Sequence, residues 1–288
     1  MSGTLYIVAT PIGNLGDISL RALAVLRDVD AVAAEDTRRS MALLRHFDIT
    51  TRLISYHEHS SESRHRHILD MLAEGRDIAL ISDAGMPGIA DPGEQLISDW
   101  ISHGGHVTVV PGATAFLAGL VLSGLPSGRF AFEGFLPRSG QLRRRILREL
   151  VAEKRTLVFY EAPHRLQDTL RDLLNIFGDR NASISREITK MYEEVLRGSL
   201  ATLLQETEKR DMLGEIVLVV AGNQSGVPQE PAEEADLEET LRELLGQGLK
   251  PAQAAKQASE RLGIERSEAY GRAVVLSRAM REEGGDMR

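Results

Sequence analysis

Short apolar runs alternate with longer amphipathic segments through the first 110 residues. The runs are rich in branched residues, which is typical of β-strands, and the segments between them repeat their apolar positions with helical spacing. The strand-like runs are LYIVAT, AVAA, RLISY, IALIS and VTVV, and the helical segments are LRALAVLRDV, RRSMALLRHF, SRHRHILDMLAEG and EQLISDWISHG. This alternation predicts an α/β fold with a mostly parallel sheet.

A second set of strand-like runs begins near Phe130. The runs are FAFEGFLP, TLVFYEA, ASISREI, EEVLRGS and GEIVLVVAG, with helices predicted at about 140–152, 163–177 and 199–210. ASISREI and EEVLRGS are separated by only a few residues, which favours a hairpin. We therefore predict a second α/β domain with a mixed sheet, and a boundary near Ser123–Ser127.

The remaining residues are rich in helix formers. GNQSGVPQEPAEEA has the Gly, Pro and Glu content of a linker, and the segments after it have helical patterns only. The predicted division is residues 1–125 and 126–222 for the two α/β domains, 223–235 for the linker and 236–288 for a small all-α domain. Its last two helices, with a turn at Gly263 and with Tyr270 and Arg272 on the second helix, have the pattern of a helix-turn-helix. RNA binding, a dimer contact and simple capping remain open as their role.

Composition excludes several classes of protein. The chain has 288 residues, of which 42% are hydrophobic and 26% charged, and it has no cysteine. No apolar run approaches the roughly 20 residues that span a bilayer, and the start MSGTLYIVATPIG has no signal-peptide pattern. We expect a cytoplasmic protein without a membrane segment, disulfides or thiolate metal sites.

The net charge of −8 disfavours a nucleic-acid binder, but the charge is unevenly distributed. From Arg129 to Arg155 there are eight basic residues and three acidic residues. If RNA is the substrate, phosphate contacts are expected from this segment. The candidates are Arg138, Arg143, Arg144, Arg145 and Arg148; the alternative is a solvated helix face.

Three loops follow strands in the first domain and are dense in glycine, proline and small residues: VATPIGNLGD, ALISDAGMPGIADPG and VVPGATA. Such loops let the backbone approach a ligand closely, and the carboxyl ends of strands are where open α/β sheets bind ligands. The first loop has neither GxGxxG nor GK[ST], so a phosphate-binding loop is not expected.

These three loops and FEGFLPR, in this order and spacing, resemble the tetrapyrrole methylase superfamily. AAEDTR (Ala33–Arg38), FYEAPHRL (Phe159–Leu166) and REITK (Arg186–Lys190) resemble its ribosomal RNA small subunit methyltransferase I branch. The resemblance implies a cleft between two α/β domains that binds S-adenosylmethionine. It also implies a homodimer and methylation of the ribose 2′-hydroxyl of a cytidine in the decoding region of 16S ribosomal RNA, in free RNA or in the assembled subunit.

The resemblance assigns cofactor contacts residue by residue, many of them through backbone groups. Met86 stands where that branch is expected to have threonine. The residues are Pro11, Ile81, Ser82, Asp83, Gly85, Met86, Ile89, Thr114, Ala115, Tyr160 and Ile188.

Methyl transfer from a sulfonium needs alignment above all, and a base or cation that helps to remove the proton of the weakly acidic hydroxyl. Candidate catalytic residues are Glu35, Asp36, Arg38, Glu161, His164, Arg165, Glu187 and Lys190. Asp36 or Thr37 could instead cap a helix, and Arg165 could form only a salt bridge with Glu161. Lys190 is a candidate for proton abstraction or charge stabilisation.

The histidines between His57 and His67 suggest a metal site, but His65 and His67 point apart on a helix. We expect no metal, with His57, His59, His65 and His67 and the intervening Glu58 on a solvated or RNA-facing surface. Two other functions remain: a tetrapyrrole or other small-molecule methyltransferase, and a non-enzymatic RNA-binding protein of ribosome assembly.

Overall fold

The computed structural model describes residues 2–57, 60–223, 232–262 and 266–283. Within these ranges the chain forms two five-stranded sheets followed by three helices. Glu58, His59, the predicted turn residue Gly263 and most of the predicted linker lie outside the described residues.

The first sheet is parallel throughout, as predicted, with the strand order β3-β2-β4-β1-β5. Its strands are β1 (Thr4–Val8), β2 (Ala31–Ala34), β3 (Leu53–Ser55), β4 (Ile78–Ile81) and β5 (His106–Val110). The helices between them are α1 (Leu20–Asp28), α2 (Thr37–His46), α3 (Glu62–Ala73) and α4 (Glu94–Ser102). Because β4, β1 and β5 are neighbours, the loops that follow them meet at one edge of the sheet.

Helices cover both faces of this sheet, which explains why β2 and β4 consist only of apolar residues. Leu26 of α1 and Leu44 of α2 pack on one face, whereas Leu72 of α3 and Trp100 of α4 pack on the other. A strand that is buried on both faces has no polar side to alternate with.

The second sheet is mixed, also as predicted, with the order β6-β7-β10-β8-β9. Its strands are β6 (Phe130–Phe135), β7 (Thr156–Glu161), β8 (Asn181–Arg186), β9 (Glu194–Ser199) and β10 (Ile216–Val220). Strands β6 and β7 are parallel, the other pairs are antiparallel, and β8 and β9 form the predicted hairpin. The helices of this half are α6 (Gly140–Glu149), α7 (Leu166–Phe177) and α8 (Leu200–Glu208).

One helix, which we number α5 (Ala115–Ser123), follows the first sheet in the sequence but packs on the second. Its Phe116 and Leu120 belong to one apolar cluster with Val217 of β10. Gly119 lets the two elements approach, since a Cβ there would lie 2.5 Å from Val217 Cγ1. The division at residue 125 stays a prediction, but by packing α5 belongs to the second half.

The C-terminal helices are α9 (Ala232–Gly246), α10 (Pro251–Leu262) and α11 (Arg266–Glu283). They surround their own apolar core, in which alanines of α10 and α11 face leucines such as Leu241 and Leu276. Helix α9 begins four residues before the predicted residue 236. None of the described helices is long and apolar enough to span a membrane.

Candidate active site

A cleft with a volume of about 410 Å³ lies between the two sheets. The first half contributes the loops after β1, β2, β4 and β5, and the second half contributes the ends of β6 and β7, the turn after β8 and the start of β10. Lining residues of the first half are Ile12, Glu35, Arg39, Asp83, Ala84, Gly85, Met86, Ile89, Asp91, Thr114 and Ala115. Those of the second half are Phe135, Tyr160, Glu161, Ala162, Pro163, Ile188, Gly214, Glu215, Ile216 and Val217.

The loops after β1 and β4 are joined to each other. The backbone N–H of Thr10 donates to the Gly85 oxygen at 2.9 Å, and the N–H of Gly85 donates back at 3.1 Å. The Thr10 hydroxyl also donates to the Ser82 oxygen at 3.1 Å. These bonds fix the wall of the cleft where the two central strands end.

Asp83 connects this wall to the AAEDTR segment. Its Oδ1 accepts from the backbone N–H of Asp36 at 3.0 Å, and its Oδ2 lies 3.2 Å from the Arg39 guanidinium. Asp36 in turn accepts from the N–H of Arg38 at 2.8 Å as the N-cap of α2. Asp36 therefore caps a helix, which is the alternative role that the sequence left open for it. Glu35 lines the cleft, whereas the exposed Arg38 does not. Arg39, which sequence reasoning missed, lines the cleft.

The FYEAPHRL segment forms its own network. The buried Glu161 carboxylate accepts from the Ala162 N–H at 2.9 Å and from the Thr169 hydroxyl at 2.5 Å, and it lies 3.4 Å from Arg165 Nε. Arg165 also donates to the carbonyl oxygen of Leu136 at 2.6 Å. The salt bridge foreseen as the alternative is present, and both groups are occupied in holding this segment to the end of β6. His164 is exposed and does not line the cleft.

The REITK segment brings Lys190 across to the first half. A Cβ on Gly13 would lie 2.5 Å from Lys190 Cγ, so the absence of a side chain at 13 gives room for the lysine. The Lys190 ammonium lies 2.9 Å from Glu187 Oε1 and 3.7 Å from Glu215 Oε2. Burial disfavours its charged form, but the bond to Glu187 and the charge of Glu215 outweigh burial and raise its pKa. A charged ammonium suits charge stabilisation, not proton abstraction.

The turn that contains Ile188 has a strained backbone. Glu187 and Thr189, on either side of it, have φ values of 52° and 68°, a region that costs non-glycine residues energy. Ile188 itself is buried against the α5 cluster and lines the cleft. Strain of this kind persists only where surrounding contacts hold it, and here it fixes an apolar side chain in the wall.

Tyr160 lies deep in the same wall, 5.0 Å from the ring of Phe132 and 5.3 Å from the ring of Phe135. Burial raises its pKa to about 12, although a bond from the Phe116 backbone N–H to its oxygen acts in the opposite direction. The phenol is therefore neutral at physiological pH. It offers a ring face and a hydroxyl group to a ligand.

Most residues that the resemblance assigned to the cofactor line this cleft. They are Asp83, Gly85, Met86, Ile89, Thr114, Ala115, Tyr160 and Ile188. Pro11, Ile81 and Ser82 are instead buried and are not among the residues that line the cleft. Sequence reasoning missed Gly214 and Glu215, since the start of β10 reaches the cleft only because β10 pairs with β7 in antiparallel orientation.

A second cavity, with a volume of about 790 Å³, borders the cleft and shares Glu35 and Asp91 with it. The exposed His57 and the half-buried His65 are among its lining residues. The two ring nitrogens of His65 lie 2.9 Å from the Tyr56 hydroxyl and 2.9 Å from Asp99 Oδ2. His65 therefore has two protein partners, and His67 is exposed on α3 and lines neither cavity.

The basic helix α6 corrects one of the proposed RNA contacts. Arg143 is 6% exposed, and its Nε and Nη2 lie 2.8 and 2.7 Å from Asp172 Oδ2 of α7. The assignment of Arg143 to an RNA-facing surface is wrong because its guanidinium is buried in an ion pair. Arg138 and Arg145 are exposed, whereas Arg144 is half-buried, 3.6 Å from Asp172 Oδ1.

Comparison with known proteins first identifies the class of protein to which the chain belongs. The family model described as Tetrapyrrole (Corrin/Porphyrin) Methylases matches residues 4–204. The structure of the methyltransferase CobJ has a TM-score of 0.58 and 21% identity, covering 77% of this chain and 95% of that chain. The uroporphyrin-III C-methyl transferase from Thermus thermophilus, complexed with S-adenyl homocysteine, has a TM-score of 0.54 and 21% identity, with 76% and 97% covered. The chain belongs to the tetrapyrrole methylase family.

Relatives of higher identity place it more narrowly. A protein from Halalkalibacterium halodurans named Ribosomal RNA small subunit methyltransferase I is 46% identical over 93% of this chain and 93% of its own. Its namesake from Synechocystis is 44% identical over 95% and 98%. One from Thermotoga maritima is 48% identical over 222 residues, which are 77% of this chain and all of the relative. The chain belongs to the ribosomal RNA small subunit methyltransferase I family.

Proposed function

We propose that this protein transfers a methyl group from S-adenosylmethionine to the ribose 2′-hydroxyl of a cytidine in the decoding region of 16S ribosomal RNA. The observation that carries the proposal is the 46% identity, over 93% of both chains, to a protein named for small-subunit ribosomal RNA methylation. The tetrapyrrole-methylating alternative has in its favour the broader family model and fold neighbours near 21% identity, neither of which is specific to this acceptor.

The cleft fits the proposed donor. Ile12, Ile188 and Val217 give it an apolar surface, and the ring of Tyr160 suits stacking against a flat purine. Asp83 and Glu215 supply negative charge, which favours a sulfonium cation. The donor brings an activated methyl group, and the protein's task is to align it and to exclude water.

One end of the cleft also fits the carboxylate of the donor's amino-acid part. Thr114 and Ala115 line the cleft at the first turn of α5, and the Thr114 side chain makes no capping bond there. Backbone N–H groups at the start of a helix favour an anion. Thr114 and Ala115 thus keep the role in cofactor binding that the resemblance implies for them.

For RNA we propose contacts from the exposed side of α6 and the loop before it. Arg138 and Arg145 are exposed, and the loop follows Phe135, which is 57% exposed at the mouth of the cleft. A charged side chain beside an exposed aromatic ring suits a phosphate next to an unstacked base. Arg144 and Arg148 are half-buried and remain weaker candidates.

We further propose a cytoplasmic homodimer. β5 is an edge strand of the first sheet, and apolar side chains on and beside it are exposed, including Val109 at 48% and Ile101 at 56%. A second copy that covers this edge would remove both the apolar surface and the unpaired backbone groups from water. Light scattering coupled to size-exclusion chromatography tests this proposal, and a monomer at micromolar concentration would contradict it.

The reaction is tested with small ribosomal particles from a strain that lacks the protein. Incubation with methyl-labelled S-adenosylmethionine, nuclease digestion and mass spectrometry locate the label. We expect a single 2′-O-methylcytidine in the decoding region. Label on a base, or only in a tetrapyrrole pool, would refute the proposal.

A further inference from the structure

We propose that the carboxylate of Asp91 accepts the proton of the acceptor hydroxyl. This inference rests on the proposed function and assigns the base that the reaction requires. The lining residues of the two cavities have Glu35 and Asp91 in common. A group between the donor cleft and the neighbouring cavity is where an acceptor held in the second cavity would meet the methyl group.

A strained backbone turn places the Asp91 side chain at the boundary between the two cavities. The preceding Ala90 has a φ of 58°, a left-handed conformation that is strained for a residue with a side chain. Gly88 and Gly93, with φ values of 79° and 134°, lie on either side. A Cβ at Gly93 would lie 2.7 Å from Leu80 Cδ2, so this turn is pressed against β4. The turn thus holds Asp91 at the boundary of the two cavities.

The groups that face Asp91 make it a suitable base near neutral pH. Its pKa is raised to about 6, mainly by burial and also by the charges of Glu35, Asp83 and Glu215, while a bond from the Ser82 hydroxyl acts in the opposite direction. The charge of Asp91 contributes to the raised pKa of Tyr160, so this phenol stays neutral at the same pH. A base is most effective when its pKa lies close to the working pH.

Glu35 is the competing carboxylate, and its surroundings suit the role less well. Burial and the charge of Asp83 raise its pKa, but the charge of Arg39 acts in the opposite direction. Arg39, which lies 3.2 Å from Asp83, is therefore a cation that acts on Glu35. The other cation of the site, Lys190, is held by Glu187 and Glu215.

The proposed step balances with the groups named. The bond between the 2′-oxygen and its proton breaks, and the proton moves to an Asp91 carboxylate oxygen. The 2′-oxygen forms a bond to the methyl carbon, and the bond between that carbon and sulfur breaks with its electron pair going to sulfur. The products are the 2′-O-methyl ribose, S-adenosylhomocysteine and a protonated Asp91, which returns its proton to water.

The test is a single-turnover measurement of methyl transfer to small ribosomal particles, with saturating enzyme and donor, as a function of pH. For the unchanged protein we expect a rate that rises with pH through about 6, because Asp91 must lose its proton to act. Asp91→Asn should lower the rate by about 10²- to 10⁴-fold and abolish this rise. Its affinity for S-adenosylhomocysteine, measured by calorimetry, should change less than about threefold.

Matched variants separate this role from its rivals. Asp91→Glu should retain a rise with pH at a reduced rate. Glu35→Gln should also retain the rise, with its midpoint moved to lower pH, because the charge of Glu35 no longer raises the pKa of Asp91. Glu206→Gln, on α8 and outside both cavities, is the control for removal of a carboxylate, since that side chain is 46% exposed.

Three outcomes would overturn the inference: a normal rate and pH profile in Asp91→Asn, loss of the rise only in Glu35→Gln, or loss of S-adenosylhomocysteine binding together with activity in Asp91→Asn. Failure of the proposed function looks different, since the unchanged protein would then transfer no label to the particles or would label a base instead of a ribose.

Discussion

The buried pair of Arg143 and Asp172 gives the sharpest test of which arginines of α6 support the fold and which remain candidates for RNA contacts. Arg143→Ala leaves the Asp172 carboxylate, whose side chain is 12% exposed, without its main partner. Breaking a buried ion pair costs about 3–5 kcal/mol of unfolding free energy. Because Arg144 still lies 3.6 Å from the other carboxylate oxygen, we expect the lower end, about 3 kcal/mol.

The assay is urea unfolding followed by the fluorescence of a probe attached to the second half. Arg145→Ala is the matched control, because that side chain is 76% exposed and its pair with Glu149 contributes about 0.5 kcal/mol or less. Arg143→Met combined with Asp172→Leu should recover most of the lost stability, since an apolar pair of similar volume needs no partner. Unchanged stability together with weakened RNA binding in Arg143→Ala would refute this reasoning.

Three further predictions concern other parts of the chain. Gly119→Val should destabilise the protein by about 1–3 kcal/mol in denaturant unfolding, because it forces α5 away from β10, whereas Gly128→Ala, which meets no atom within 4 Å, should not. Tyr160→Phe should leave the pH profile of methyl transfer unchanged below about pH 10, because the phenol is neutral there; a new dependence in that range would contradict the raised pKa. A chain that ends at Asn223 should keep its affinity for S-adenosylhomocysteine in calorimetry, since 222 residues match the whole Thermotoga maritima relative; a loss of binding would assign the C-terminal helices to the cleft.

Most strands and helices of both halves could be predicted, the helices from the helical spacing of their apolar positions and the strands as short runs rich in apolar and branched residues. The sheet on which α5 packs could not be predicted in this way. AFLAGLVLS has apolar residues on every side, so its sequence indicates burial but not which sheet buries it. That choice depends on strands of the second sheet that come much later in the chain, β8 from Asn181 and β10 from Ile216.

The candidate site could be predicted where a loop has a high content of glycine and proline, as between Asp83 and Gly93. A count of basic residues in α6 does not distinguish Arg143 from Arg145, because it takes no account of the helix face on which each residue lies. The signal was available, since Arg143 lies four residues before the fully buried Leu147 and so shares its helix face. Glu215 gave no signal, because only the order of strands in the second sheet brings it to the cleft.

The packing of α5 on the second sheet has a consequence during synthesis on the ribosome. The helix is synthesised before β8 and β10, on which it packs in the folded protein, have been translated. At about 5–20 residues per second, the 92 residues between Ser123 and Ile216 take roughly 5–20 s. During that interval α5 lacks the cover that β10 provides in the folded protein, so we expect residues 115–123 to be a segment to which a chaperone that acts on nascent chains can bind.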